Sequence, residues 1–243
     1  MKINSNKIPE IVKNIWFKLD NESYLVGGCV RDLILNRKPK DWDITTKNSP
    51  EEIKKIFPNS FYENRFFTVG VKTNSDDPTL KVIEITTFRT EGKYSDFRHP
   101  DEVKIAKTLK EDLKRRDFTI NALALDKKFN VIDYFNGLED LKNKLIRTVG
   151  NPIGRFKEDP LRMIRAIRLS CQLNFQIEKK TFETIKSLSS FINLISKERI
   201  KDELIKIIIS PNAVQGIELL RESNLLIEII PELIRCYNVG QNK

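Results

Sequence analysis

The chain has 243 residues, 40% hydrophobic and 32% charged, which suits one large domain or two small ones and is too apolar for a disordered protein. No apolar run reaches the roughly 18 residues of a membrane span, and the N-terminus does not read as a signal or transit peptide, so we expect a cytoplasmic protein with no membrane partner. Lys and Arg outnumber Asp and Glu by 43 to 34, and this net charge of +9 favours a polyanionic partner such as nucleic acid or nucleotide, with ordinary solubility as the alternative.

The first 150 residues are predicted to mix helices and strands. Helical spacing covers 9–19, 29–35 and 50–57, and Ser49 with Glu52 gives the last of these a capping signal. Strand patterns occupy 24–26, 42–46, 66–72 and 80–88, and a turn at 74–78 predicts a hairpin between the last two. The polar, weakly periodic segment 90–113 predicts a mobile loop, and 118–125 and 131–134 continue the mixed region.

The character of the sequence changes near Gly150, where strand signals end. After a predicted linker at 151–154, helical spacing covers 161–173, 181–188, 197–209, 213–221 and 225–234. The predicted fold class is therefore an α+β head, made of a mixed β-sheet with flanking helices over residues 1–150, followed by an all-α part over 151–243.

Asp41 and Asp43 carry the strongest local signal for chemistry. On a strand they would point the same way, with Trp42 and Ile44 packing into the core. Two carboxylates this close repel each other unless a cation neutralises them, and hard oxygen ligands favour Mg²⁺, in a two-ion arrangement suited to phosphoryl chemistry. The alternative is a turn with solvated carboxylates.

A glycine pair precedes these acids. Gly27 and Gly28 join a predicted strand to a helix start, where backbone N–H groups favour a phosphate and Arg31 can reach the same anion. A tight turn without any ligand is the other interpretation.

A third acid follows on the strand 80–88. Alternation puts Glu84 on the face opposite Ile83 and Ile85, where a neighbouring strand can bring it beside Asp41 and Asp43. A solvent-facing glutamate fits the same pattern.

The segment 115–122 combines two arginines with Asp117 and Asn121. Arg115 and Arg116 can neutralise phosphate oxygens, while Asp117 and Asn121 can hold a sugar hydroxyl or the arginines themselves. The alternative is an ordinary surface ion pair.

The helical part opens with acids and arginines at helical spacing. Glu158, Asp159, Arg162 and Arg165 are predicted to share one helix face, while 161, 164 and 167 pack elsewhere. An acid beside an arginine can read the amine-acceptor edge that cytosine and adenine share. Salt bridging along the helix is the alternative.

Cysteine and histidine chemistry is largely excluded. Cys29, Cys171 and Cys236 lie far apart and His99 is the single histidine, so the sequence offers no Cys/His zinc site. Ser-His-Asp and Cys-His mechanisms would need His99 as the base.

In this order, the motifs resemble the class II tRNA nucleotidyltransferase and bacterial poly(A) polymerase superfamily, over essentially the whole chain. The resemblance rests on five segments: 27–43, 115–122, 132–141, 158–162 and 196–200. It implies a nucleotidyltransferase-type head followed by the neck, with Asp41 and Asp43 binding two Mg²⁺ ions and Glu84 contributing. Gly28 and Arg31, with neighbouring Gly27, would contact the triphosphate.

The same resemblance implies roles for the remaining candidates. Arg116, Asp117 and Asn121 would hold ribose and phosphate, and Asp159 and Arg162 would read the base, with Glu158 orienting the arginine. Arg165 and Arg168 would support phosphate or substrate binding. The implied reaction adds C and A to the tRNA 3′ end from CTP and ATP and releases pyrophosphate.

Three alternatives to CCA addition stay open from the sequence: A-only addition, poly(A) synthesis, and a nucleotide- or RNA-binding module without turnover. The length of 90–113, with Tyr94, Asp96 and Arg98, resembles the flexible loop of CCA-adding and A-adding members, and 173–175 resembles the tRNA enzymes. Family members usually continue past 239–243 with helical body and tail regions, so tRNA affinity and termination are the properties expected to depend on them.

Overall fold

The computed structural model describes residues 1–63, 66–92, 94, 97 and 100–237. The chain divides into two compact units, one of 1–92 with 101–141 and the other of 93–100 with 142–243. Among the described residues, no helix is both long enough and apolar enough to cross a membrane.

The first unit is built on a seven-stranded mixed sheet. Its strands are β1 (Ser23–Val26), β2 (Asp43–Thr46), β3 (Ser60–Glu63), β4 (Thr68–Lys72), β5 (Val82–Thr87), β8 (Leu123–Leu125) and β9 (Val131–Asp133). Their spatial order is β3-β4-β5-β2-β1-β8-β9, and within this sheet only the β2–β5 pair is parallel. The helices of this unit are α1 (Glu10–Lys18), α2 (Gly28–Ile34), α3 (Pro50–Ile56), α4 (Leu109–Lys114) and α5 (Gly137–Lys142).

Alternation along the strands separates the two faces of the sheet. Ile83 and Ile85 on β5 are fully buried, as is Ile44 on β2, while the intervening Glu84 is exposed. On the side of Glu84, a second apolar cluster forms where Leu109 and Leu113 of α4 pack with Val26. Buried isoleucines therefore mark one face of the sheet, and α4 covers the part of the other face around Val26.

Local capping explains where the short helices begin. Ser49 and Glu52 form the predicted capping box at the start of α3, with Pro50 in its first turn. Thr108 and Glu111 form a second capping box that starts α4. Each box satisfies two backbone N–H groups that the first turn leaves unpaired.

The prediction of a mobile loop over 90–113 is wrong at both ends of that segment. Arg89–Glu91 (β6) and Val103–Ile105 (β7) pair as an antiparallel ribbon, and α4 follows. The capping box and the burial of Leu109 and Leu113 stabilise α4 despite its polar composition. Asp96, Arg98 and His99 lie outside the described residues.

Among its described residues, the second unit is helical apart from two very short strands. Its helices are α6 (Pro152–Glu158), α7 (Leu161–Leu173), α8 (Lys179–Ser187), α9 (Lys197–Ile208), α10 (Ala213–Glu222), α11 (Leu225–Ile229) and α12 (Pro231–Ile234). Leu145–Ile146 (β10) and Gln176–Ile177 (β11) form a parallel pair.

Three expectations for this unit need correction. The predicted linker 151–154 is the start of α6, since the Asn151 side chain caps that helix. The predicted helix 225–234 breaks into α11 and α12 at Pro231, which cannot continue the backbone hydrogen-bonding pattern. A strand, β11, occurs after Gly150, where none was expected. The predicted fold class, an α+β head followed by a helical part, is confirmed.

Candidate active site

Asp43 and Asp41 meet the glycine turn at the start of β2. The strand begins at Asp43, so the expectation that both acids lie on a strand is wrong for Asp41. A Cβ added to Gly27 would lie 3.5 Å from Asp43 Oδ2, and one added to Gly28 would lie 3.6 Å from Asp41 Oδ1. The glycines therefore bring backbone and both carboxylates into one small region.

Asp43 sits where a negative charge is disfavoured. Burial raises its pKa from 3.8 to about 7, the Arg116 guanidinium opposes this rise, and the carboxylates of Asp41 and Glu84 add to it. Glu84 is the direct register partner of Asp43 on the parallel neighbour β5, so both side chains lie on one face. A buried carboxylate whose pKa is raised further by two neighbouring carboxylates is typical of a site that gains from a cation.

These acids fit a divalent cation that takes most of its other ligands from substrate and water. Within 1–63, 66–92 and 100–237, no three Asp, Glu, His or Cys side chains are grouped closely enough to enclose a metal on their own. Mg²⁺ is usually held by one or two carboxylates together with phosphates and water rather than by an all-protein cage. The donor set at Asp41 and Asp43 matches that preference.

Arg116 faces the same region. Gly27 has φ of +81°, and a Cβ built there would lie 2.7 Å from Arg116 Nη1, so a side chain at this position is disfavoured on both counts. The Arg116 Nε atom is buried and has no hydrogen-bond partner among the described residues. A guanidinium whose buried Nε donor is unsatisfied, beside two carboxylates, is suited to an incoming anion.

Arg115 is adjacent to Arg116 in the sequence, but its guanidinium donates to two carboxylates. Its Nε donates to Asp112 Oδ1 at 3.0 Å and its Nη1 to Glu91 Oε1 at 3.1 Å. Asp112 is fully buried and also accepts a hydrogen bond from the Thr45 hydroxyl at 3.1 Å. Burial by itself would raise the pKa of Asp112, but nearby arginines and hydrogen bonds hold that pKa below its ordinary value. This anchor attaches α4 to the sheet beside Asp43.

A second network fixes Arg31 over the glycine turn. Its Nε donates to Asp32 Oδ1 at 2.9 Å and its Nη1 to Asn121 Oδ1 at 2.6 Å. Asn121 in turn donates to Asp117 Oδ1 at 3.0 Å. Arg31, Asn121 and Asp117 thus form one hydrogen-bonded chain, although Arg31 and Asn121 are 90 positions apart in the sequence.

The buried thiol beside this turn takes no part in acid–base chemistry. Cys29 Sγ donates to the carbonyl oxygen of Val26 at 3.2 Å, and burial raises its pKa to about 12. A thiol in this environment is inert as a nucleophile at neutral pH.

The base-reading candidates lie in the second unit and are divided between two helices. Glu158 ends α6 and Arg162 belongs to α7, so the single helix face expected for 158–165 is wrong. Pro160 forces the break, yet the ion pair survives: Arg162 Nη1 donates to Glu158 Oε2 at 2.6 Å. Asp159 accepts from the Leu161 N–H at 3.1 Å and from Arg199 Nη2 at 3.0 Å.

Arg165 and Arg168, the last two arginine candidates, both lie on α7. Arg168 Nε lies 2.9 Å from Glu203 Oε2, and Lys206 Nζ lies 3.0 Å from the other Glu203 oxygen. This mostly buried ion pair joins α7 to α9 and fixes the position of the Arg168 side chain. Arg165 is partly buried on α7.

Among the residues of these networks that were not singled out from the sequence as site residues are Asp32, Asp112, Arg199 and Glu203. Asp32 stands beside Arg31 in the glycine motif, and Arg199 lies in the segment 196–200 that the resemblance includes, so both had a signal. Asp112 and Glu203 had none, because each reads as one more charge on a polar helix.

The chain matches two family models and is similar in sequence to known enzymes. Residues 23–147 match the family model described as "Poly A polymerase head domain", and 174–236 match "Probable RNA and SrmB- binding site of polymerase A". The chain is 48% identical over 205 residues to the CCA-adding enzyme of Lactobacillus helveticus, covering 84% of this chain and 50% of that protein. The corresponding values for the Staphylococcus epidermidis enzyme are 43% over 221 residues, 89% and 54%.

Solved structures give the same result. The Bacillus stearothermophilus CCA-adding enzyme in complex with CTP superposes with a TM-score of 0.80 at 37% identity, covering 89% of this chain and 52% of that one. The Thermotoga maritima CCA-adding enzyme complexed with tRNA gives a TM-score of 0.77 at 28% identity, covering 95% and 54%. The chain therefore spans about half the length of the relatives that it matches.

Proposed function

This chain belongs to the poly(A) polymerase head-domain family, and on that premise we propose that it adds C and A nucleotides to the 3′ end of tRNA, using CTP and ATP and releasing pyrophosphate. The relatives named above are CCA-adding enzymes, one of them in complex with CTP and one with tRNA. We assign the nucleotidyltransferase head to residues 1–150 and the helical neck to 151–243. A tRNA substrate makes the cytoplasm its place of action.

The observation that carries the proposal is the setting of Asp43. Its carboxylate lies at a strand start, shares a face with Glu84, lies close to Asp41, and has its pKa raised to about 7. A protein keeps such an arrangement at a cost in stability, which is characteristic of functional sites. Phosphoryl transfer with carboxylate-held divalent ions is the chemistry that this donor set serves best.

The proposed roles of the head residues follow from their contacts. Asp41 and Asp43, with Glu84, would hold two Mg²⁺ ions, which when bound neutralise phosphate charge and lower the pKa of the attacking hydroxyl. Arg31 and Arg116 would bind triphosphate oxygens above Gly27 and Gly28, where an absent Cβ leaves space for them. Positioning and charge neutralisation supply most of the rate in such reactions, so no histidine is needed.

Asp117 and Asn121 would act on the sugar and on Arg31. Asp117 Oδ1 accepts both the Phe118 N–H at 2.8 Å and the Asn121 amide at 3.0 Å, which fixes the orientation of Asn121. Asn121 then holds Arg31 at 2.6 Å. A rigid network of this kind keeps the arginine directed at the phosphates.

In the second unit, Asp159 and Arg162 would read the incoming base. Glu158 fixes the Arg162 guanidinium, and Arg199 fixes the Asp159 carboxylate. A carboxylate that accepts and a guanidinium that donates match the edge shared by cytosine and adenine, and not that of guanine or uracil. Arg165 and Arg168 would support the binding of substrate from the same helix.

A primer-extension assay tests the proposal. The 243-residue chain is incubated with Mg²⁺ and labelled tRNA ending before CCA, after the first C or after the second C, with CTP, ATP or both. Addition of C, C and A followed by arrest is the expected result. A-only products or long A tracts would replace the proposed activity with that of a relative, and the absence of any product would overturn it.

Two variants make the assay specific to the site. Asp43→Ala is expected to abolish incorporation of both nucleotides. Asp76→Ala, which changes an exposed aspartate in the turn between β4 and β5, is the matched control and should retain normal turnover. Normal turnover by Asp43→Ala would overturn the metal assignment.

A further inference from the structure

One row of side chains crosses the sheet from Asp43 to its edge. Phe61 on β3 pairs with Gly70 on β4, Gly70 with Glu84 on β5, and Glu84 with Asp43 on β2. Directly paired residues point to the same face of a sheet. β3 is the edge strand, so the row leads outward from the proposed catalytic acids.

The outer end of the Phe61 ring lies against Gly70. A Cβ at Gly70 would fall between 2.3 and 2.8 Å from three atoms of the ring, so the glycine provides the space that the ring occupies. Gly70 does not have the positive φ that would itself require glycine. The ring therefore leans inward by one strand, toward Glu84, and lies about 10 Å, or two strand spacings, from the strand that carries Asp43.

The same surface is open and carries a positive charge. Phe61 remains 40% exposed although its ring rests on the sheet. Lys72 Nζ lies 5.6 Å from the centre of the Phe61 ring, and Lys72 is itself exposed. Helix α4 and its apolar cluster cover the other part of this face, around Val26. An exposed aromatic ring beside a lysine is the combination that proteins use to bind single-stranded nucleic acid.

The geometry of the proposed in-line displacement indicates which substrate lies on this surface. The groups assigned to the triphosphate, Gly27, Gly28, Arg31 and Arg116, lie beside β1, on one side of Asp43. In an in-line displacement the attacking oxygen and the leaving pyrophosphate lie on opposite sides of the phosphorus. The acceptor strand must then approach from the other side, across β5, β4 and β3.

We propose that Phe61 and Lys72 form a platform for the 3′-terminal nucleotides of the acceptor RNA. A base stacks on the exposed face of the Phe61 ring, and Lys72 neutralises an adjacent backbone phosphate. Stacking accepts any base, so the platform holds the growing end without selecting its sequence. This inference rests on the proposed function, because the position of the triphosphate fixes the direction of approach.

A stacking measurement tests the platform independently of turnover. The probe is tRNA ending before CCA with 2-aminopurine as its 3′-terminal base, whose fluorescence falls when it stacks. Phe61→Leu should remove the quenching seen with the unaltered chain and raise the KM for tRNA by about tenfold or more. It should leave the KM for CTP unchanged, and Phe61→Tyr should restore quenching. Lys72→Gln should weaken tRNA binding and reduce its salt dependence.

Phe17→Leu is the matched control. Phe17 is 46% exposed and also has a lysine, Lys127, with its Nζ 5.8 Å from the ring centre, but it lies on α1, outside the row. This variant should quench the probe normally. Melting temperatures of Phe61→Leu and Phe61→Tyr separate loss of stacking from loss of stability at Gly70.

The outcomes discriminate between the two proposals. Quenching by the unaltered chain that is lost in Phe61→Leu supports the platform even where no nucleotide is incorporated, in which case only the proposed activity fails. Incorporation with unchanged quenching and an unchanged KM for tRNA in Phe61→Leu overturns the platform and leaves the activity standing. Absence of quenching by the unaltered chain also overturns the platform.

Discussion

Replacing Asp43 with asparagine is expected to stabilise the metal-free chain, and to do so only where the aspartate is charged. The pKa of Asp43 is raised from 3.8 to about 7, mainly by burial and further by Asp41 and Glu84. Between these two pH values the folded chain binds a proton that the unfolded chain has released. The free energy of unfolding therefore falls as pH rises through this window.

The structure sets the size of the effect. Each tenfold change in proton affinity is worth about 1.4 kcal/mol, so a rise from 3.8 to about 7 corresponds to about 4 kcal/mol at most. Near pH 4 the aspartic acid and the amide are both neutral in the folded chain, and the two proteins should be almost equally stable. Above pH 7 the Asp43→Asn variant should be the more stable of the two by up to that amount.

Urea denaturation in EDTA, repeated from about pH 4.5 to pH 9, measures the difference. Asp76→Asn is the control, because Asp76 is an exposed aspartate in the turn between β4 and β5, away from the site. Adding Mg²⁺ above pH 7 should stabilise the unaltered chain and not the Asp43→Asn variant. A difference that is independent of pH, or an Asp43→Asn variant less stable above pH 7, would refute the electrostatic reasoning.

Three further predictions concern other parts of the site. Gly27→Ala should destabilise the fold by about 1–3 kcal/mol and lower nucleotide affinity, since its φ is +81° and its Cβ would meet Arg116, whereas Gly28→Ala should fold normally in a thermal melt. Asp112→Asn should cost about 3–5 kcal/mol in urea denaturation, because it leaves buried arginine contacts uncompensated; a cost below about 1 kcal/mol would contradict the anchor. Arg162→Ala should relax the choice of C and A over G and U by about 1–3 kcal/mol in competition assays, and unchanged selectivity would show that the base is read elsewhere.

The sequence alone determined most of the local structure. The strand 24–26, the glycine turn and the capping box of Ser49 follow from patterns a few residues long, and the structure has each of them. Helix α7 follows from apolar spacing over 13 residues. Such features depend on neighbours along the chain, so they can be predicted from the sequence.

Some boundaries were decided by tertiary contacts. Helix α4 lies in a segment with little periodicity and forms because Leu109 and Leu113 are buried against Val26. The strand β2 begins one residue later than its alternation suggested, at Asp43, where pairing with Glu84 on the parallel strand begins. Pairing and burial select among local conformations that the sequence by itself leaves close in energy.

The candidate site shows most clearly which features the sequence predicts and which only the tertiary structure decides. Residue types and order identified Asp41, Asp43 and Glu84 as candidate ligands, but the sequence could not say that Glu84 is the register partner of Asp43. The bond from Arg31 to Asn121 spans 90 positions, and that from Arg199 to Asp159 spans 40. The sequence does not show whether a carboxylate or a guanidinium is solvated or paired. Only the folded chain brings such distant partners together, and their mutual electrostatic field then sets the pKa and the orientation on which chemistry depends.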